Sequence, residues 1–260
     1  MLQYAEFVEF SHRLADVARA HTLPHFRTRL DVVDKGDRQD YSPVTIADRE
    51  AEAAMRALIA ETYPDHAILG EEHGGANAGG TRGWVLDPID GTKSFIIGVP
   101  LWGTLIAFND GSGPVVGLMD QPVTGERFVG HDGGSFLGDR PLMTRSCPTL
   151  ENAVLCTTGP ELFEAAAEQQ AFAALRARVR LARYGTDCYA YCMLAHGLVD
   201  LVVEAGLKAW DIQALIPIIR GAGGIVTTWT GGDPAQGGRI VAAGDPGLHA
   251  LALEILGAAG

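Results

Sequence analysis

The chain has 260 residues, 47% hydrophobic and 20% charged, and its 32 acidic against 20 basic residues give a net charge of −12. That length and apolar content support a packed core and exclude disorder, and no apolar run approaches the ~18–20 residues of a membrane span. The acidic balance excludes nucleic acid as the main partner, because phosphates need a basic face; it suits metal cations or a cationic small molecule.

Glu6, Glu9, His12, Arg13 and Asp16 interrupt any signal-peptide pattern at the N-terminus, so a cytoplasmic location is expected. Phe7, Phe10, Leu14, Val17 and Ala18 recur at helical spacing and predict a first helix over 3–19, which Pro24 kinks or ends. The polar stretch 34–42 reads as a loop or short hairpin. A second helix is predicted over 45–62, with Thr45 and Asp48 as its start box. Strands follow at 67–69, 84–86, 104–108, 115–119 and 127–130, punctuated by Gly and Pro as in antiparallel meanders. The second half reads as strand 154–156, an Ala-rich helix 161–178, helix 187–196, strand 201–204 and helix 212–220. Strands 225–229 and 240–243 and a helix 248–256 close the chain. Two lobes follow, each layering helices on sheets: 1–145, with most candidate ligands, and 146–260. Cys147, Cys156, Cys188 and Cys192 are too few and scattered for a disulfide framework, and free thiols are expected.

The chemistry concentrates in Trp84-Val85-Leu86-Asp87-Pro88-Ile89-Asp90-Gly91-Thr92-Lys93-Ser94-Phe95. An apolar strand ends in two carboxylates, Asp87 and Asp90. Pro88 demands a turn there, and Gly91 permits an unusual backbone angle or a close ligand. Thr92 and Ser94 can cap a following helix whose free N–H groups would face an anion. Either this is a turn with two solvated aspartates, or it offers hard oxygen ligands of the kind Mg²⁺ takes beside an anion hole. Gly70-Glu71-Glu72 ends another apolar strand and reads as an acidic turn or as a further ligand. Asp211, after Trp210, reads as a helix N-cap or as a ligand; Asp48 reads as a cap partner or as part of the site.

In this order and spacing, Asp87-Pro88-Ile89-Asp90-Gly91-Thr92, Gly70-Glu71-Glu72 and Trp210-Asp211 resemble the inositol monophosphatase family over essentially the whole chain. The resemblance implies an α+β fold, a layered αβαβα sandwich of the inositol monophosphatase / fructose-1,6-bisphosphatase type. It implies a metal-dependent, lithium-sensitive phosphatase acting on a small-molecule phosphate ester. Two to three Mg²⁺ ions are expected, with Mn²⁺ able to substitute, and a homodimer. By the same likeness Glu71, Asp87 and the Ile89 carbonyl hold one ion, and Asp87, Asp90 and Asp211 another; a third sits near Glu71. Gly91 and Thr92 bind phosphate, and Asp48 and Thr92 prepare the attacking water. Lys35 matches a family lysine near the site.

Within the family the chain is most similar to histidinol-phosphatases of the monophosphatase type. The pointers are Lys93-Ser94-Phe95, Pro100-Leu101-Trp102-Gly103-Thr104, Asp187-Cys188-Tyr189-Ala190-Tyr191 and Val203 to Lys208. Inositol phosphatases usually carry Thr-Asn at 93–94 and lack an acid at 187. Histidinol phosphate bears an ammonium and an imidazole, and Asp187 and Glu204 are the carboxylates expected to receive them. A helix cap is the other reading of Asp187. Inositol 1-phosphate, a sugar bisphosphate or a nucleotide 3′-phosphate are alternative substrates, and a non-catalytic binding protein on the same scaffold is a further class. Cys188, Cys192 and His196 share a helix face and read as core or as a zinc site. The glycine-rich 74–80 segment lacks the Lys-Ser/Thr of a nucleotide loop and reads as a flap beside Glu71.

Overall fold

The computed structural model describes residues 3–29, 33–34, 43–75 and 81–257. The chain opens with α1 (Ala5–Thr22), then β1 (Val33–Asp34), β2 (Pro43–Val44) and α2 (Ile46–Thr62). Next come β3 (Ala67–Gly70), β4 (Gly74–Gly75), β5 (Arg82–Asp90), α3 (Thr92–Ile96), β6 (Gly103–Asp110), β7 (Pro114–Gln121), β8 (Glu126–His131), β9 (Gly134–Leu137) and β10 (Arg140–Pro141). The remainder is β11 (Val154–Thr157), α4 (Ala166–Arg176), β12 (Leu181–Tyr184), α5 (Asp187–Ala195), β13 (Leu201–Leu207), α6 (Ala209–Ile212), α7 (Leu215–Gly221), β14 (Ile225–Thr228), β15 (Gly238–Ala243) and α8 (Pro246–Leu256).

One sheet has eight strands in the order β10-β9-β8-β7-β6-β5-β3-β4; β5 through β10 form an antiparallel meander, and β3 runs parallel to β5. A second, mixed sheet has five strands in the order β12-β11-β13-β15-β14. Side chains alternate across each strand, and the central strands β5, β6, β7 and β13 are buried on both faces. Trp84, Leu86, Ile106, Phe108 and Leu118 meet Phe7, Phe10 and Leu14 of α1 and Met55 and Ile59 of α2. Val85, Leu105, Ala107 and Met119 point the other way, to α5 and α7, which also receive Val202, Ala242 and Ile240 of the second sheet. The far face of that sheet, Leu155, Leu201, Val203 and Val241, packs on α4 and α8. The order is helices, sheet, helices, sheet, helices, as the resemblance implied.

The structure corrects several boundaries. Strand β5 does not stop at Leu86: it runs on to Asp90, and Pro88 makes a bulge instead of a turn. Asp87 pairs with Leu105 and Asp90 with Gly103, so three steps along β5 oppose two along β6. The helix expected over 161–178 is a 3₁₀ turn, Pro160–Leu162, followed by the shorter α4. The helix expected over 212–220 breaks into α6 and α7. Pro217 has no N–H for the Gln213 carbonyl and its ring crowds that group, so the helix restarts. Strands β9, β10 and β12 were not expected; they are short, and β10 and β12 lie at sheet edges.

Candidate metal and phosphate site

The bulge at Pro88 aims two carboxylates at one point. Thr104 donates its hydroxyl to the Pro88 carbonyl at 2.8 Å, which pins the distorted strand. Beyond it, Gly91 takes the left-handed conformation (φ 85°) that starts α3. Thr92 and Ser94 do not cap that helix, contrary to the sequence reading. The Thr92 hydroxyl donates to the Ile89 carbonyl at 3.1 Å, and Ser94 donates to Asp187. The first N–H groups of α3 have no partner within the helix.

Side-chain oxygens of Asp87, Asp90 and Asp211 come within 4.8 Å of one another. Asp211 is the third residue of α6, not its N-cap, and one oxygen accepts from the Lys208 N–H at 2.6 Å. Asp87 accepts from the Ile89 N–H at 3.0 Å and Asp90 from the Cys188 N–H at 2.7 Å. Burial pushes the Asp87 carboxyl well above its ordinary range, and Glu71, Asp90, Asp211 and Asp48 push it further. Burial raises Asp90 as well, and burial followed by Asp90 raises Asp211 well above its usual range. Glu71 stands outside the group of three, yet after burial it is the strongest influence on Asp87. Crowded carboxylates with backbone N–H donors suit a hard divalent cation, which relieves their repulsion and takes oxygen ligands. The Ile89 carbonyl has a second lone pair beside the one used by Thr92.

Asp48 occupies the expected start box. Its Oδ2 accepts from the Thr45 N–H at 2.9 Å and from the Thr45 hydroxyl at 2.5 Å. Burial nevertheless raises its carboxyl to about 6, against the pull of those hydrogen bonds. It is poised to take a proton near neutral pH.

A cavity of about 200 Å³ opens beside Asp90 and Asp211, lined by Thr158, Asp187, Cys188, Tyr191 and Glu204. Glu204 is buried and accepts from the Thr158 N–H at 2.8 Å and the Thr158 hydroxyl at 3.0 Å. Burial raises it to about 8, despite Thr158. Asp187 is the first residue of α5, with a backbone φ of 42°, and no side-chain capping bond is made at that helix start. Burial and Asp90 raise its carboxyl to about 7; Ser94, Thr158 and Lys93 oppose the rise. A larger cavity, about 670 Å³, lies away from these carboxylates between α1 and β8–β9, and its Arg19 and Arg127 already pair with Asp120.

The structure thus gathers Asp48, Glu71, Asp87, Ile89, Asp90, Gly91, Thr92, Asp187, Glu204 and Asp211 into one region. Lys35 and 76–80 lie outside the described residues, and Gly74–Gly75 pair with β3. Cys188 and Cys192 are buried in the core between the sheets. Thr158 and Glu52 were not singled out from sequence, and Tyr191 was quoted only as the end of the 187–191 segment, with no role. Glu52 left a trace there, four residues after Asp48 and so on the same helix face.

Comparison with known proteins matches the same elements. The profile of the inositol monophosphatase family spans residues 3–259. The chain belongs to the inositol monophosphatase family. It is a phosphoric monoester hydrolase of a metal-dependent family. It is 47% identical to the chloroplastic bifunctional phosphatase IMPL2 of Arabidopsis thaliana, over 96% of this chain and 75% of that one. It is 36% identical to a histidinol-phosphatase of Streptomyces coelicolor, over 96% of each. An inositol monophosphatase from Zymomonas mobilis superposes with a TM-score of 0.88 at 43% identity, covering 99% of this chain and 100% of the other.

Proposed function

We propose that the protein hydrolyses L-histidinol phosphate to L-histidinol and phosphate. The observation that carries this is the placement of Asp187 and Glu204 in the cavity next to the Asp87, Asp90 and Asp211 group. A neutral polyol gains little from two extra buried carboxylates, whereas an ammonium or imidazolium offsets their desolvation. Relatives named histidinol-phosphatase at 36% identity support the same substrate.

In this reading Glu71, Asp87, the Ile89 carbonyl, Asp90 and Asp211 hold Mg²⁺, with Mn²⁺ as a substitute. When bound, such ions lower the pKa of water and stabilise charge on phosphoryl oxygens. The N–H groups at Gly91 and Thr92 receive the phosphate. Thr92 orients the attacking water and Asp48 accepts its proton. Attack is in line and direct, so the configuration at phosphorus inverts. Trapping a phosphorylated residue would overturn it.

Inositol 1-phosphate is the second reading, favoured by the likeness to the Zymomonas mobilis enzyme. The deciding experiment measures phosphate release from both esters, with Mg²⁺ and with EDTA. A strong EDTA-sensitive preference for histidinol phosphate supports the proposal. Preference for the inositol ester keeps the metal centre and discards the substrate pocket. The homodimer is carried here by family likeness, and light scattering tests it. Among the described residues no helix is long and apolar enough to cross a membrane.

A further inference from the structure

We propose that Glu52 and Arg56 of α2 are positioning residues for the metal ligand Glu71. This deepens the metal-centre reading above and rests on it. Glu71 begins the turn after β3, and its own side chain is the only part of that turn the proposed centre uses. On one side the Glu71 N–H donates to the Leu86 carbonyl of β5 at 3.2 Å. On the other side α2 grips the three residues that follow. Glu52 Oε2 accepts from the Glu72 N–H at 2.7 Å, and Oε1 accepts from the His73 N–H at 3.1 Å. Arg56 donates through Nε to Glu52 at 2.7 Å and through Nη2 to the Gly74 carbonyl. The His73 ring also faces Glu52, at 3.3 Å.

Glu52 is fully buried, a costly place for a carboxylate unless each oxygen is used. Here both are used, each on a backbone N–H of the turn. The fold also clears space for it: a Cβ at Gly70 would lie 2.1 Å from Glu52 Oε1, so only glycine admits the carboxylate at that point. The same helix carries Asp48 one turn earlier. One rigid element therefore sets both the residue proposed to take the proton and the backbone that aims Glu71. Such supporting contacts fix a ligand's orientation, and their loss typically costs about 10–100-fold in metal affinity.

The test is Mn²⁺ binding followed by EPR, with the Mg²⁺ dependence of phosphate release beside it. Glu52→Gln keeps the shape but can accept on one oxygen only, so one turn N–H meets an amide NH₂. Arg56→Lys keeps the charge but cannot reach Glu52 and the Gly74 carbonyl together. Expected is an Mn²⁺ affinity about 10–100-fold weaker in Glu52→Gln. Arg56→Lys shifts it the same way by a smaller factor. The Mg²⁺ concentration for half-maximal rate rises in step, while kcat at saturating Mg²⁺ stays near wild type. A purely structural role would lower kcat or the folded fraction without moving metal affinity, and that result overturns the inference. If Glu52→Gln fails to fold by circular dichroism, Arg56→Lys decides: unchanged Mn²⁺ affinity there overturns it. Absence of Mn²⁺ binding by the wild type would sink the metal-centre reading itself.

Discussion

Ser94 and Asp187 stand 93 positions apart in sequence, and the Ser94 hydroxyl donates to Asp187 Oδ2 at 3.2 Å. The contact joins α3, which starts beside the proposed phosphate donors, to the mouth of the carboxylate cavity. It depends on Gly91, where an added Cβ would lie 3.2 Å from the Asp187 side chain. It also depends on Asp187 keeping a left-handed backbone, a region in which Asp is better tolerated than most residues. A strained backbone at a cavity wall is where a functional constraint is expected.

The first prediction follows from that contact. Hydrogen bonds to charged groups contribute about 1.5–3 kcal/mol, so Asp187→Ala raises KM for histidinol phosphate about tenfold or more. Inositol 1-phosphate, lacking a cation, shows little change. Ser94→Ala has a smaller effect in the same direction, and none once Asp187 is already alanine. Steady-state kinetics of the two single variants and the double variant with both esters check this. Equal effects on both esters would refute a direct contact between Asp187 and the cationic group.

Asp211 sets function against stability. Asp211→Asn keeps an oxygen for the Lys208 N–H but removes one charge from the group with Asp87 and Asp90. Turnover falls by at least about 100-fold, beyond what loss of a supporting contact costs. Without metal the variant melts higher than wild type, because burial and Asp90 disfavour the charged Asp211. Thermal melts in EDTA and in Mg²⁺ test both halves. A lower midpoint in EDTA would show that the repulsion is already relieved within the chain.

How much of this was legible in the sequence differs between elements and side-chain meetings. Helix α2, with Thr45 and Asp48, was readable because a capping box is local: both partners lie within four residues. The buried strands were readable from their apolar runs. The bulge was not, because proline predicts a turn locally, while pairing with β6 and the Thr104 bond hold the strand together. The carboxylates proposed as metal ligands were singled out through motif and family resemblance, and the structure brings Asp87, Asp90 and Asp211 together. Ser94 was misread as a cap because its partner is 93 residues away, and no local rule sees such a distance. Glu52 was passed over for the same reason: its meaning lies in the 72–73 backbone it reaches, not in its neighbours.

The third prediction concerns pH. Burial raises Asp48 to about 6, Asp187 to about 7 and Glu204 to about 8, against an ordinary carboxyl near ~4. Between these values the folded chain holds protons that the unfolded chain has lost, so stability falls as pH rises. Their stabilising share is full below about 4 and lost above about 8. Burial lowers His12, His66 and His249, which favours folding as pH rises, but only up to about 6.5. Above that the carboxylates act up to about 8, and toward pH 9 the thiols of Cys147, Cys156, Cys188 and Cys192, which burial also raises, push the same way. In EDTA the melting temperature is therefore expected to drop from pH 6.5 to 9, by about 2–4 °C for each kcal/mol lost. Mg²⁺ makes the drop shallower, since it binds the deprotonated carboxylates. A flat or rising trace in EDTA would overturn the assignment.

Tyr191 supplies the last prediction. Its ring belongs to the core between the sheets, and the residue is 2% exposed. Its hydroxyl is sealed from solvent and has no hydrogen-bond partner among the described residues. Burial raises its pKa well above the phenol range, and Glu204, Asp90 and Asp211 add to the rise, so the group stays protonated. An unsatisfied buried hydroxyl costs about 1–3 kcal/mol. Tyr191→Phe removes only that oxygen and keeps the ring packing. The free protein is expected to melt higher, by about 2–4 °C per kcal/mol recovered. Thermal melts of both proteins in EDTA measure it. A lower midpoint would mean that Glu204 or another wall of the cavity accepts from the hydroxyl in solution.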